Sequence, residues 1–286
     1  MTELHGELLE RVHLAGLVQR TSGLAAIRIG LIDGPVAAGH PDLASPIEHL
    51  SAAACERSGS AACAHGTFVA GILGARRGSK APALCPACPL LVRPVFLEAE
   101  KETPSTTPPE LAIAIEEVIQ AGARIINLSL ALTRGSAGQD QSLGEVLDWA
   151  AKKGVLLVAA AGNDGRVSST SLTRHPWVLP VISCDAGGHP SLFANLSGSA
   201  ARHGLMAPGE RLSSLASDGG MCAGSGTSFA TAVVTGAAAL LWSLFPDARA
   251  HEIKSALLSA ASPRRSVVPP LLDAERAYQL MTRSQR

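Results

Sequence analysis

The stretch Gly224–Trp242, GSGTSFATAVVTGAAALLW, decides the fold. It begins with glycine, serine and threonine and continues with small or β-branched residues, where an exposed helix would use better helix formers. Small side chains suit a helix that runs through a crowded interior, and the free N–H groups at a helix start favour negative charge. We therefore predict a buried helix over Thr227–Phe245, with the hydroxyl group of Ser228 at its positive end.

Outward from this helix, apolar segments alternate with segments of helical periodicity. The predicted strands lie in AAIRIGLID, PLLVRPVF, ARIINLSL, VLLVAAAGN and WVLPVISC, and the other predicted helices lie in HGTFVAGILGA, PPELAIAIEEVIQAG and SLGEVLDWAAKKG and at Arg249–Ala260. Continuous apolar strands separated by helices are typical of a parallel sheet that is covered on both faces. The sequence therefore predicts an α/β fold of three layers, with a mostly parallel central sheet.

The 286 residues are predicted to form a single domain, because no internal repeat or linker divides them. The core is expected over about residues 25–260, after an N-terminal helix over 3–20. The segment Pro104–Pro109 and the tail after about residue 262 are predicted to be loops.

Charge and hydropathy exclude several classes of partner. The 24 basic and 24 acidic residues cancel, which argues against attraction to nucleic acid or to an anionic membrane. The longest apolar run, Gly236–Trp242, is too short to span a bilayer, and the N-terminus mixes acids and bases without a continuous apolar region. We therefore expect a soluble, cytoplasmic protein without nucleic-acid or membrane partners. The oligomeric state is not indicated by the sequence.

The cysteines leave several alternatives open. Six of them form two close pairs and two single residues: Cys55 with Cys63, Cys85 with Cys88, and Cys184 and Cys222. An even number permits disulfides without requiring them, and a zinc site would need four ligands although C-x-x-C occurs once. Free thiols or one or two local disulfides are favoured over zinc or a redox site, so no metal site is assigned. Cys184 ends an apolar strand and is expected in the core.

Four polar residues follow predicted strands or begin predicted helices. Asp33 follows IGLI, Asn163 follows VLLVAAAG, His65 opens HGTFVAG, and Ser228 opens the long helix. Functional groups collect at the carboxyl ends of the strands in such sheets. A serine that attacks, a histidine that takes its proton and an aspartate that supports the imidazolium are the groups of an acyl-transfer site. A side-chain amide and the N–H group at a helix start can stabilise the developing oxyanion.

Each of the four has a structural interpretation when it is taken alone. Asp33 and Asn163 are good turn residues, and His65 and Ser228 are common near helix starts. Their joint order at strand ends and helix starts favours catalysis.

The blocks LIDGPV, HGTFVAG, AAAGNDG and GTSFATAVVTGAAALL resemble, in this order, those of the subtilisin family of serine proteases. The resemblance runs over about residues 25–260. It implies a subtilisin-like fold and a serine endopeptidase that works through an acyl-enzyme without a cofactor. It also implies the triad Asp33, His65 and Ser228, with an oxyanion hole formed by Asn163 and the backbone N–H group of Ser228.

Further blocks narrow the resemblance. DGPV, GHPDL, LCPACPLLVRPVF and LMAPGERL are similar to segments of the protease domains that process cyanobactin precursor peptides. This implies that the partner is a peptide substrate, a ribosomal precursor from which a leader or recognition segment is removed; some relatives close macrocycles instead. A general degradative protease and a catalytically silent peptide-binding relative stay open as alternatives.

The chain departs from the usual family pattern at three positions. Gly34 stands where Thr or Ser usually follows the aspartate, and Ala232 stands where Pro is common. Ala131 stands where relatives typically have glycine, which predicts a narrower pocket wall.

The resemblance also implies the substrate-binding residues. These are Ser129, Leu130 and Ala131 on one wall of the first specificity pocket, Ala160, Ala161 and Gly162 on the opposite wall, and Thr227. Leu97–Glu102 matches the strand that pairs with substrate, and its three glutamates, Glu98, Glu100 and Glu102, either favour basic residues upstream of the cut or form a solvated loop.

A calcium site that many relatives hold after the catalytic histidine is predicted to be absent. Calcium prefers oxygen ligands, mostly carboxylates and amides. Between His65 and Cys85 the chain has no Asp, Glu or Asn, and it has Arg76, Arg77 and Lys80 instead.

Overall fold

The computed structural model describes residues 9–55, 59–96, 105–132, 135–260 and 267–284. Its strands are β1 (Ile29–Asp33), β2 (Ile47–His49), β3 (Leu90–Pro94), β4 (Ser105–Thr106), β5 (Ile125–Leu128), β6 (Ala131–Leu132), β7 (Leu156–Ala160), β8 (Leu179–Cys184), β9 (Leu205–Pro208), β10 (Leu212–Leu215) and β11 (Met221–Gly224). Its helices are α1 (Ala15–Arg20), α2 (Ala61–Gly74), α3 (Pro108–Gln120), α4 (Ala137–Lys153), α5 (Ser171–Arg174), α6 (Gly198–His203), α7 (Thr227–Leu244), α8 (Ala250–Ala260) and α9 (Ala274–Ser284).

A sheet of seven strands in the order β2-β3-β1-β5-β7-β8-β9 forms the centre of the molecule. Each neighbouring pair is parallel, as the continuous apolar strands predict. Strand β1 lies between β3 and β5, so the chain order reverses on either side of it. Such a switch point places a cleft at the carboxyl ends of the strands.

The two faces of the sheet bury separate cores. Ile29 and Leu31 point into the larger core, which includes residues of α1, α2, α7, α8 and α9. Ile32 points to the opposite face, where the second core includes residues of α3 and α4. Because side chains alternate along a strand, the continuous apolar run of β1 serves both cores. The predicted arrangement of three layers is confirmed.

Helix α7 runs through the larger core and contacts β5, β7, β8, β9 and α2. Every residue from Thr227 to Ser243 is buried. The apolar helix is longer than the run Gly236–Trp242, and its 18 residues, with a mean hydropathy of 1.5, would suffice to cross a membrane by length and composition. However, 94% of it is buried inside the protein. It is the core helix that its small residues predict.

Helix α2 begins earlier than HGTFVAGILGA predicts. Ser60 is the N-cap, and its Oγ accepts a hydrogen bond of 3.0 Å from the N–H group of Cys63. His65 therefore lies in the second turn of α2. The alternative that His65 stands at the helix start for a structural reason is therefore wrong.

The predicted N-terminal helix over 3–20 is helical at residues 9–11 and 15–20 in its described part, but it is broken between them. His13 has a φ of 52° and interrupts the helix, and α1 begins only at Ala15. Val12 and Leu14 are both fully buried. Two residues apart, these side chains would face nearly opposite sides of a continuous helix, and the break allows both to lie in the same core.

The prediction of loops after residue 262 and at Pro104–Pro109 is also wrong where the chain is described. Helix α9 buries Ala274, Ala277 and Met281 along one face, a periodicity that marks an amphipathic helix. In the other segment β4 is a strand, and Pro108 occupies the first turn of α3, where the missing N–H group costs nothing.

The cysteines follow the alternative of free thiols with one local disulfide. Cys55 and Cys63 form a disulfide that joins the segment before α2 to its first turn. The others are free, with Cys85, Cys88 and Cys184 buried and Cys222 exposed. The expected burial of Cys184 is confirmed.

Candidate active site

Asp33 and His65 meet at the carboxyl end of β1. Asp33 is the last residue of the strand, and its side chain is fully buried. Its Oδ1 accepts hydrogen bonds from His65 Nδ1 at 2.7 Å and from the backbone N–H group of Gly34 at 2.6 Å. The carboxylate thereby fixes the ring orientation and holds the proton on Nδ1, which leaves Nε2 as the basic nitrogen.

The glycine after Asp33 has a steric cause. A Cβ at Gly34 would lie 2.0 Å from the carbonyl oxygen of Ala62, on the first turn of α2. Serine or threonine does not fit here, although the family usually has one of them. Asp33 Oδ2 is buried and has no hydrogen-bond partner in the described part of the chain. The carboxylate therefore depends on Oδ1 for its hydrogen bonds.

The pKa of the His65 imidazole is raised above its ordinary value of 6.5. Burial is the largest single influence and lowers the pKa, but the charge of Asp33 and its hydrogen bond together outweigh burial. An imidazole with a raised pKa is a stronger base when it is neutral, which suits proton abstraction from a hydroxyl group.

Ser228 is the second residue of α7, and hydrogen bonds join it to Ser129 in the segment after β5. Its Oγ donates a hydrogen bond to the carbonyl oxygen of Ser129 at 3.4 Å, and Ser129 Oγ donates to the carbonyl oxygen of Ser228 at 2.9 Å. Ser228 is 8% exposed, in the first turn of α7, where the helix dipole favours negative charge. The next residue, Phe229, lies with its ring centroid 5.8 Å from that of His65 and stacks on Phe68 of α2.

Asn163 approaches the same place from the turn after β7. Its Oδ1 accepts hydrogen bonds from the backbone N–H group and the hydroxyl group of Thr227, both at 2.9 Å. Since a backbone N–H group can only donate, the oxygen of the amide must face Thr227. The Nδ2 group is therefore the part of Asn163 that remains to donate to a substrate oxygen.

One pocket of about 250 Å³ joins these groups. Among the predicted residues it is lined by His65, Ser129, Leu130, Ala160, Gly162, Asn163, Thr227 and Ser228. Asp33 lies buried behind His65. The backbone of Ala161 donates instead to Val181 of the neighbouring strand, and Ala161 does not line the pocket.

The structure does not describe two of the predicted substrate-binding features. The side chain of Ala131 and the segment Leu97–Glu102, with Glu98, Glu100 and Glu102, lie outside the described residues. Their roles stay predictions from the resemblance.

The pocket also has walls that the sequence analysis missed. They are Asp164, Ser225 and Phe229, beside Gly226 before the long helix. Asp164 and Phe229 directly follow Asn163 and Ser228, so adjacency to a proposed catalytic group is the signal that could have found them. Asp164 is the only acidic residue that lines this pocket in the described part of the chain.

A family model for the subtilase family, Peptidase_S8, matches residues 25–282. The chain belongs to the subtilase family. Subtilisin DY from Bacillus licheniformis is 30% identical over 243 residues, which cover 83% of this chain and 84% of that protein. Subtilisin E from Bacillus subtilis (strain 168) is 31% identical over 82% of this chain, and the matched region spans 60% of the length of that protein.

A solved structure is also similar to this subtilase. The prenylagaramide maturation protease PagA has a TM-score of 0.82 and 31% sequence identity, with coverage of 93% of this chain and 98% of that chain. The fold and the family therefore agree that the chain is a subtilisin-like serine protease. The likeness to a maturation protease supports the narrower resemblance that the sequence blocks indicate.

Proposed function

We propose that this subtilase removes a leader or recognition segment from a ribosomal precursor peptide. The observation that carries the proposal is the similarity to PagA, a maturation protease, over 93% of the chain. The partner is accordingly a peptide substrate, and the reaction is hydrolysis of one peptide bond through an acyl-enzyme.

The described geometry supports a role for each group in this reaction. Ser228 Oγ attacks the carbonyl carbon, and His65 Nε2 takes the hydroxyl proton and passes it to the amine that leaves as the C–N bond breaks. Water then attacks the ester with His65 as the base, which regenerates the hydroxyl group. Asp33 stabilises the imidazolium through the hydrogen bond of 2.7 Å.

The oxyanion of each tetrahedral intermediate needs donors that are already in place. Asn163 Nδ2 and the backbone N–H group of Ser228 supply them, because the carbonyl side of the amide is occupied by Thr227. Donors that need no reorganisation stabilise the transition state more than the ground state.

A first experiment tests the protease chemistry itself. A fluorophosphonate probe is expected to label the wild-type protein and not the Ser228→Ala variant. Labelling of both would show that another residue is the reactive nucleophile, and labelling of neither would favour a peptide-binding role.

A second experiment separates maturation from general degradation. The protein is incubated with casein and with a proteome-derived peptide library, and the new termini are sequenced. Cleavage confined to one narrow motif, with casein left intact, is expected of a maturation protease. Broad digestion of casein would favour a degradative protease instead.

We further propose that the protein works in the cytoplasm, where ribosomal precursor peptides are made. Disulfides are rare in that compartment, so Cys55 and Cys63 are expected there as thiols although the structure holds them as a disulfide. Alkylation of protein from intact cells, followed by mass spectrometry, checks this. A closed disulfide in freshly quenched cells would contradict the cytoplasmic location.

A further inference from the structure

We propose that Asn195 is a positioning residue that holds the turn carrying Asn163, and through it the donor for the oxyanion. Asn195 lies in the segment between β8 and α6, distant in sequence from every block that indicates the active site. It is 5% exposed. The inference rests on the proposed role of Asn163 and extends it to a residue that does not line the pocket.

Both ends of the Asn195 side-chain amide bind the residues after Asn163. Its Oδ1 accepts hydrogen bonds from the backbone N–H groups of Asp164 and Arg166, both at 3.1 Å. Its Nδ2 donates to Asp164 Oδ2 at 3.1 Å. One amide thereby holds two backbone N–H groups and the carboxylate that lines the pocket.

The backbone of Asn195 fixes the residue on the other side. Its N–H group donates to the carbonyl oxygen of Gly162 at 2.9 Å. Asn163 therefore stands between two residues that are both bonded to Asn195, so its Cα position is set from outside its own turn. Nearby, the N–H group of Gly165 donates to the carbonyl oxygen of Phe193 at 2.7 Å, which adds a further bond between the two segments.

The glycine before Asn163 is explained by the same contact. Gly162 has a φ of 102°, a conformation that favours glycine. A Cβ there would lie 2.4 Å from Asn195 Nδ2. The turn and the Asn195 amide thus fit only if residue 162 lacks a side chain.

Asn163 is consequently held at two levels. Thr227 fixes the oxygen of its amide, and Asn195 fixes the backbone from which the amide projects. Loss of the second restraint displaces Nδ2 from the oxyanion while the group itself remains. Displacements of about 1 Å in a catalytic group cost on the order of 10²-fold in rate.

A double-mutant cycle of Asn163→Ala and Asn195→Ala tests whether one residue acts through the other. The substrate is a short chromogenic peptide amide, so the result does not depend on a precursor. Asn195→Ala is expected to lower kcat by about 10-fold to 10²-fold with KM little changed. In the Asn163→Ala background the same substitution is expected to change kcat by less than twofold.

The outcomes of the cycle are distinct. An equal loss of kcat in both backgrounds, or no loss in the wild-type background, would overturn the proposal. If Asn163→Ala itself leaves kcat unchanged, the role of Asn163 fails first. Fluorophosphonate titration gives the fraction of each variant with a folded site, and kcat is calculated per labelled molecule.

A rescue experiment keeps the proposal falsifiable if Asn195→Ala does not fold. Asn195→Asp retains an oxygen for both backbone N–H groups but places a carboxylate against Asp164. Adding Asp164→Asn restores a donor and an acceptor to the pair with the direction reversed and the net charge of wild type. We expect kcat to fall in Asn195→Asp and to recover at least fivefold in the double variant.

Asp164→Asn alone completes this second cycle, because an amide at position 164 still offers an oxygen to Asn195. Since Asp164 lines the pocket, its own change in kcat is measured with a substrate that carries no charge, and the recovery in the double variant is corrected for it. A double variant no faster than Asn195→Asp would show that the hydrogen bond does not position the turn.

Discussion

The two halves of the proposed catalytic site are held in different ways. The acid and imidazole half, Asp33 and His65, depends on a single carboxylate oxygen that accepts both hydrogen bonds, while the other oxygen has no partner among the described residues. The hydroxyl and amide half, Ser228 and Asn163, is held by several bonds that include backbone groups. The first half should fail at one substitution, whereas the second should weaken in steps.

The largest effect is expected for Asp33→Asn. The amide removes the charge that supports the imidazolium and can present its NH₂ group to His65 in place of an acceptor. The corresponding carboxylate of subtilisin sets the scale of the loss, roughly 10⁴-fold in kcat. Steady-state kinetics on a peptide amide checks it, with circular dichroism to confirm folding. A loss in kcat below tenfold would show that the acid and imidazole half does not fail at one substitution.

The next largest effect is expected for Asn163→Ala, which removes one oxyanion donor. Loss of such a donor costs about 10²-fold to 10³-fold in kcat, a scale measured on subtilisin itself. Thr227→Val is the graded counterpart, because it removes the hydroxyl group, which donates to Asn163 and accepts from the N–H group of Gly162, and keeps the backbone N–H bond to Asn163. We expect its kcat to lie between that of wild type and Asn163→Ala. Equal losses in the two variants would contradict stepwise weakening.

The pH dependence tests the acid and imidazole half directly. Since the pKa of His65 is raised above 6.5, kcat/KM should fall as the pH drops through that raised value, by about tenfold per pH unit below it. In Asp33→Asn both influences that raise the pKa are removed and burial remains, so the fall should move to lower pH. If the pH midpoint of kcat/KM in Asp33→Asn stays in place or moves upward, the pairing of Asp33 with His65 is contradicted.

The smallest effect is expected for Asp164→Asn. Its carboxylate lines the pocket but is exposed, and exposed ion pairs contribute about 0–1 kcal/mol. We expect the preference for a basic over a neutral residue at the cleaved position to fall by about threefold. Competition between two peptides that differ only at that residue measures it, and an unchanged ratio would remove Asp164 from specificity.

The sequence predicted those features that depend on neighbouring residues. The strand before Asp33 and the small residues after Ser228 are local patterns, and they placed both groups correctly at a strand end and a helix start. The N-cap at Ser60 is also a local pattern, but the prediction placed the start of the helix at the block HGTFVAG.

What the sequence did not predict depends on contacts between distant segments. The break at His13 accompanies burial of Val12 and Leu14 in the shared core, which no local pattern specifies. Asn195 is an ordinary loop asparagine until its contact with Gly162 is known. Gly34 departs from the family pattern in the sequence, but the carbonyl oxygen of Ala62 that excludes a side chain there belongs to a different segment of the chain.

The burial of α7 makes catalytic activity depend on assembly of the whole sheet. Ser228 begins a helix that contacts four strands of the sheet, so the nucleophile cannot be released by fraying of one edge. We expect amide protons in the buried middle of this helix to exchange with solvent mainly through global unfolding. We expect damaged or half-folded copies to be inactive, because the sheet must be assembled before an attacking group exists.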